Sequence, residues 1–102
     1  MKETMITELV KFNLLETTTE EQLLSKAEMF NEFQKKQEGF VDSELVKDMK
    51  EDSWFLIYHY ENMEKCQAIG KKLRESKEFG EFMSVINPES LNLSFHNQLK
   101  TW

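Results

Sequence analysis

The chain has 102 residues, 39% of them hydrophobic, which suits one compact domain and leaves no room for a second. Thirteen basic residues face nineteen acidic ones, for a net charge of −6, and no basic stripe is interleaved with aromatics, so nucleic acid is set aside as a partner. No apolar run is long enough for a membrane span or a signal segment, and a lone cysteine, Cys66, cannot close an internal disulfide. The expectation is a cytoplasmic protein with no membrane partner.

Residues 5–15 place polar and apolar side chains in near alternation and predict a first strand, β1. Thr18-Thr19-Glu20-Glu21 offers a helix start, with Thr18 as the capping hydroxyl and Glu21 reaching back. The helix it opens, α1, is predicted over residues 20–38, with Leu23, Ala27 and Phe30 on one face. Gly39 follows as the left-handed terminator. Strands β2 and β3 are predicted over residues 40–49 and 54–60. Residues 63–86 carry two apolar stripes, Cys66, Ile69 and Leu73, then Phe79, Phe82, Met83 and Ile86. Ser76 lies between them, able to cap a fresh helix, so this second helical region is expected to break in two. Asn87-Pro88 ends the helical pattern, and β4 is predicted over residues 91–99. The order βαββαβ is the split-βαβ arrangement of ferredoxin-like α+β domains.

Strand β3 reads Trp54-Phe55-Leu56-Ile57-Tyr58-His59-Tyr60. Trp54, Leu56, Tyr58 and Tyr60 point one way, Phe55, Ile57 and His59 the other, and both faces are largely apolar. Helices cover only one side of such a sheet, so the other would present a contiguous apolar surface to water. A symmetric homodimer with sheets face to face resolves this, and its interface is expected to include β3 aromatics such as Trp54 or Tyr58.

The order of elements, the Gly39-Phe40 pair, the aromatic β3 running into Tyr60-Glu61-Asn62-Met63-Glu64, and the helical Glu75-Ser76-Lys77-Glu78-Phe79-Gly80-Glu81-Phe82 carry a resemblance. Over nearly its whole length the chain resembles the antibiotic biosynthesis monooxygenase (ABM-like) family of dimeric α+β barrels. The resemblance implies a ferredoxin-like fold, a homodimer, and a cofactor-independent monooxygenase, or a related isomerase, acting on a small aromatic or quinol-like compound. In such an enzyme an electron-rich substrate reacts with oxygen after deprotonation, and the protein supplies an apolar cavity with a few placed polar groups.

A haem-degrading branch of that superfamily carries an asparagine near the end of β1, a tryptophan after β3 and a histidine one turn past the S-x-x-F segment. Asn13 matches the first, but Leu73 and Met83 stand at the other two positions. A methionine does not substitute for the iron-ligating histidine, so that activity and its haem are not expected.

Four residues are singled out for the site. Asn13 and His96 are candidate catalytic groups, because β4 should lie beside β1 and bring its polar face, Asn92, Ser94 and His96, against Lys11 and Asn13 as the wall of a cavity. Trp54 and Tyr58 are candidate substrate-binding aromatics. His59 and Cys66 read as structural residues of a strand face and a helix stripe. The two histidines and one cysteine lack zinc-site spacing, and neither a glycine-rich phosphate loop nor a G-x-S-x-G turn is present, so no metal or bound cofactor is expected. A second reading stays open beside the enzyme: a catalytically silent dimeric barrel that binds a small ligand or serves in assembly.

Overall fold

The computed structural model describes residues 4–102. Its elements follow the order β1 (Ile6–Phe12), α1 (Glu20–Lys35), β2 (Phe40–Lys47), β3 (Trp54–Tyr60), α2 (Met63–Arg74), α3 (Lys77–Met83), a 3-10 turn (Pro88–Ser90) and β4 (Asn92–Asn97). The four strands form one antiparallel sheet in the order β2-β3-β1-β4, the ferredoxin-like arrangement expected from the sequence.

The caps explain where the helices begin. Thr19, not Thr18, caps α1: its hydroxyl accepts from the Gln22 backbone N–H, and the Gln22 side chain accepts from the Thr19 backbone N–H. A capping box needs its partner three residues on, and counting from Thr19 that partner is Gln22 rather than Glu21. The second helical region does break at Ser76, whose hydroxyl accepts from the Phe79 N–H at 3.1 Å and starts α3. Gly39 has φ of 98°, and a side chain there would run into Lys65, so glycine is demanded twice at this turn.

All three helices lie on one face of the sheet. Ile6, Val10 and Phe12 of β1 and Trp54, Leu56, Tyr58 and Tyr60 of β3 meet Leu23, Ala27 and Phe30 of α1, Cys66, Ile69 and Leu73 of α2, and Phe82 of α3 in a single buried core. Phe30 and Phe82 form its centre, with ring centroids 4.8 Å apart.

This corrects one expectation. Trp54 and Tyr58 are 7% and 3% exposed beneath the helices, so they are core residues and cannot form a sheet-to-sheet interface. Strand alternation places the other set on the open face: Leu9, Val46, Phe55 and Ile57 in its middle, with Lys11, Asp42, Glu44 and His59 around them. That surface is apolar at its centre and charged at its rim, and Lys11 packs its ammonium 5.7 Å from the Phe55 ring centroid. Among the described residues no helix is long and apolar enough to cross a membrane.

Candidate functional site

In β1 the inward phase reads Ile6, Glu8, Val10, Phe12, so one carboxyl takes a place that alternation reserves for a core side chain. Glu8 is 9% exposed. It borders a cavity of about 590 Å³ between the helices and the β1 and β4 side of the sheet. Tyr58, Tyr60, Phe30, Phe82, Leu73 and Cys66, all buried, form the inner wall. Met63, Gln67, Arg74, Leu93 and Phe95 are exposed side chains at its mouth. The volume falls within the range of small-molecule sites and suits a ligand of two or three aromatic rings.

The polar atoms of the inner wall belong to a short chain that starts behind it at Gln34. Gln34, fully buried, donates from Nε2 to the Tyr60 hydroxyl at 3.0 Å, and the Tyr60 hydroxyl donates to Glu8 Oε1 at 3.2 Å. Since the Tyr60 oxygen already receives a proton from Gln34, its own proton is directed at the carboxyl. The Tyr58 hydroxyl makes no hydrogen bond to any described residue, and its side chain borders the cavity.

Desolvation lifts the Glu8 carboxyl above the usual carboxylate range, and the Tyr60 hydrogen bond and the Arg74 charge pull it only partly back. Burial also pushes the Tyr58 and Tyr60 phenols far up, with the Glu8 charge adding to both shifts. Both phenols therefore stay protonated and serve as hydrogen-bond donors. The Cys66 thiol is pushed up to about 11, chiefly by desolvation, and so is a neutral apolar wall rather than a nucleophile. What this arrangement can do chemically is accept a proton at Glu8 from a substrate held against apolar walls, with the Tyr58 phenol donating to an oxygen of that substrate.

The four residues proposed from sequence are not brought together. Tyr58 borders the cavity, whereas Trp54 does not, its ring lying 5.2 Å from the Lys47 ammonium at the far end of β3. Asn13 is exposed just past β1, where its backbone N–H donates to Ser90 Oγ at 2.7 Å and its carbonyl accepts from the Asn87 N–H. His96 pairs with Thr7 on the open face of the sheet, and its Nε2 lies 2.8 Å from Ser94 Oγ. The polar face of β4 does adjoin Lys11, through Asn92, but on the side away from the helices. Glu8, Tyr60, Gln34 and Arg74 were missed. For Glu8 the signal was present, as a lone acid in the apolar phase of an alternating strand.

Leu73 and Met83, at the positions of the haem-degrading branch's tryptophan and histidine, both border the cavity, and neither histidine of the chain does. The remaining soft donors are a protonated thiol and thioethers, so the lining does not fit a histidine-ligated haem. Among the described residues no group of three or more His, Cys, Asp or Glu side chains could hold a metal ion.

No protein-family model matches the sequence, and no curated protein matches it. Solved structures do. SnoaB from Streptomyces nogalater, described as a cofactor-independent oxygenase, superposes with a TM-score of 0.75 at 14% identity, covering 96% of both chains. A candidate antibiotic biosynthesis monooxygenase from Caulobacter crescentus gives a TM-score of 0.77 at 10% identity, covering 96% of this chain and 92% of that one. Another, from Nitrosomonas europaea, gives 0.75 at 12% identity, covering 97% and 94%. At these identities the likeness establishes a common fold: the chain has the ferredoxin-like α+β architecture of SnoaB and of two candidate antibiotic biosynthesis monooxygenases.

Proposed function

We propose that the protein is a cofactor-independent monooxygenase of the ABM-like kind, acting on a small hydroxyaromatic or quinol-like compound, with Glu8 as its base. The observation that carries this reading is a single carboxyl with a raised pKa, oriented by a phenol, in the wall of an apolar cavity of about 590 Å³. The shared fold with a protein described as a cofactor-independent oxygenase supports the reaction class.

The chemistry balances without an external reductant when the substrate is a carbon acid, such as a ring methylene conjugated to a ketone, the keto tautomer of a hydroxyaromatic. Glu8 takes one proton from the methylene and leaves an electron-rich anion, whose developing oxygen charge the Tyr58 hydroxyl can stabilise. The anion gives an electron to dioxygen, and recombination at carbon forms a peroxide that recovers the proton from Glu8. Loss of the second C–H proton to Glu8 cleaves the O–O bond, leaving a carbonyl and hydroxide, which takes that proton back as water. One CH₂ and one O₂ become one C=O and one H₂O, with all four electrons drawn from the substrate. The apolar wall keeps bulk water from the anion.

The same reading includes a cytoplasmic homodimer paired through the open sheet face around Leu9, Phe55 and Ile57. Oxygen uptake measured on a panel of anthrones and naphthalenediols tests the function. The expected result is uptake above the spontaneous rate for at least one of them, with a carbonyl product. Tight binding across the panel with no enzymatic uptake would instead support the silent ligand-binding module.

A further inference from the structure

Arg74 closes α2, and among the described residues its side chain is the one cation that borders the cavity. It is exposed at the mouth and takes part in no ion pair among the described residues. Helical side chains lean towards the preceding turn. Here that turn holds Gly70, itself a cavity residue, and the guanidinium Nη1 lies 3.3 Å from where a Cβ of residue 70 would stand. The glycine thus leaves room for Arg74 to lie back along the helix beside the opening. Lys71 and Lys72, in the same last turn, do not border the cavity. The site therefore has an acid at its inner wall, apolar sides and, within electrostatic reach of that acid, a guanidinium at its mouth that makes no ion pair among the described residues.

We propose that the substrate carries a carboxylate which Arg74 binds at the mouth, making it a hydroxyaromatic carboxylate rather than a neutral ring system. This rests on the proposed function and names the substrate class for that cavity. The charges also set orientation. A carboxylate placed at the inner wall would meet the Glu8 carboxyl, whereas at the mouth it meets a planar donor suited to bidentate binding, and the ring's acidic end then faces Glu8. Binding energy from a group remote from the reacting carbon serves to position that carbon.

Titration calorimetry at neutral pH with 2-naphthoate and 2-naphthamide, which share a ring and differ in charge, tests this apart from any turnover. The expected result is roughly three- to tenfold tighter binding of the naphthoate by the unmodified protein, the range for an exposed to partly desolvated ion pair. Arg74→Gln should bring the two affinities together, Arg74→Lys should keep part of the difference, and added salt should weaken the naphthoate alone. Because Arg74 is exposed, circular dichroism should show both variants folded. Equal affinities in the unmodified protein, or a naphthoate preference that survives Arg74→Gln, would overturn the proposal. Equal affinities together with oxygen uptake on a neutral hydroxyaromatic would sink this inference and leave the proposed function standing, whereas binding of neither probe would sink both.

Discussion

Tyr60 and Glu8 lie 52 residues apart in sequence and join across the β1–β3 ladder, the Tyr60 hydroxyl donating to Glu8 Oε1 at 3.2 Å. The ladder pairs Ile6 with Tyr60 and Glu8 with Tyr58, so Tyr60 reaches the carboxyl diagonally, along the inward face of two neighbouring strands. Gln34 beneath fixes the direction of that hydrogen bond. One phenol replaces only part of the water that an exposed carboxylate would hold, and desolvation therefore dominates the Glu8 environment.

Glu8→Gln should lower kcat/KM on an accepted carbon acid by roughly 10²- to 10⁴-fold, the usual contribution of a positioned general base. The amide keeps an oxygen that can accept from Tyr60, so folding should be retained. In the unmodified protein the rate should rise with pH as Glu8 loses its proton, with an inflection above the ordinary carboxylate range. Stopped-flow oxygen consumption across pH checks both, and a Glu8→Gln variant with unchanged rates would remove Glu8 from the mechanism.

Stability should carry the same signature. A carboxyl whose pKa is higher folded than unfolded holds its proton longer in the native state, so folding is favoured most below the unfolded pKa. That advantage is lost as pH rises from the model-peptide value of 4.5 through the raised folded value. Glu8→Gln should therefore raise the melting temperature at pH 7, and the gain should shrink as pH falls towards 4. Thermal unfolding followed by circular dichroism at several pH values measures this. A variant less stable at every pH would show instead that the ionised carboxylate is net favourable where it sits.

Most of the fold was legible because local signals agreed with one another. Ser76 and Asn87-Pro88 mark real boundaries, whereas Gly39 is left-handed in the turn before β2 and does not terminate α1, which ends at Lys35 with a right-handed cap at Lys36; the βαββαβ order admits few topologies. The cap at Thr18 failed by one residue because two adjacent threonines offer the same chemistry, and only geometry selects Thr19. For β3 the alternation was correct, but with both faces apolar the sequence carried no sign of which one the helices cover. The site was less legible because Asn13 and His96 were chosen by residue type and strand adjacency. Adjacency in a sheet holds on both faces, and His96 shares its face with Thr7 and Leu9 rather than with Glu8.

Gly39→Ala should destabilise the protein by about 1–3 kcal/mol. The backbone has φ of 98°, costly for any residue with a Cβ, and that Cβ would also collide with the base of the Lys65 side chain. Lys65 is fixed there by bonding to Glu61 and Glu38, at 2.8 and 3.4 Å, so relief requires α2 to shift. Urea unfolding gives the comparison, and a midpoint equal to that of the unmodified protein would show the turn to be adaptable.

Haem should not be degraded. Leu73 and Met83 occupy the cavity wall where the haem-degrading branch carries tryptophan and histidine, and no histidine borders the cavity to hold iron. Loose association with the apolar walls is compatible with this. With haem and a reductant, the Soret band should persist and no iron should be released, and rapid reductant-dependent loss of the band would overturn the assignment of the cavity.

Ile57→Lys should convert the proposed homodimer into a monomer without unfolding it. Ile57 is partly exposed on the open sheet face, pairs with Leu9 and Glu44, and makes no part of the buried core, so a lysine there costs the single subunit little. At the centre of two facing sheets the same ammonium would lose its hydration against Leu9, Phe55 and Val46 of the other copy, a penalty of several kcal/mol for an unpaired charge. Trp54→Ala provides the contrast. Trp54 is 7% exposed beneath the helices, and removing its indole should cost about 3–5 kcal/mol of subunit stability. Light scattering at micromolar concentration should give twice the 12.2 kDa chain mass for the unmodified protein and about the chain mass for Ile57→Lys. Thermal unfolding should report the Trp54→Ala loss. A monomeric unmodified protein would show that the open face works without a second copy.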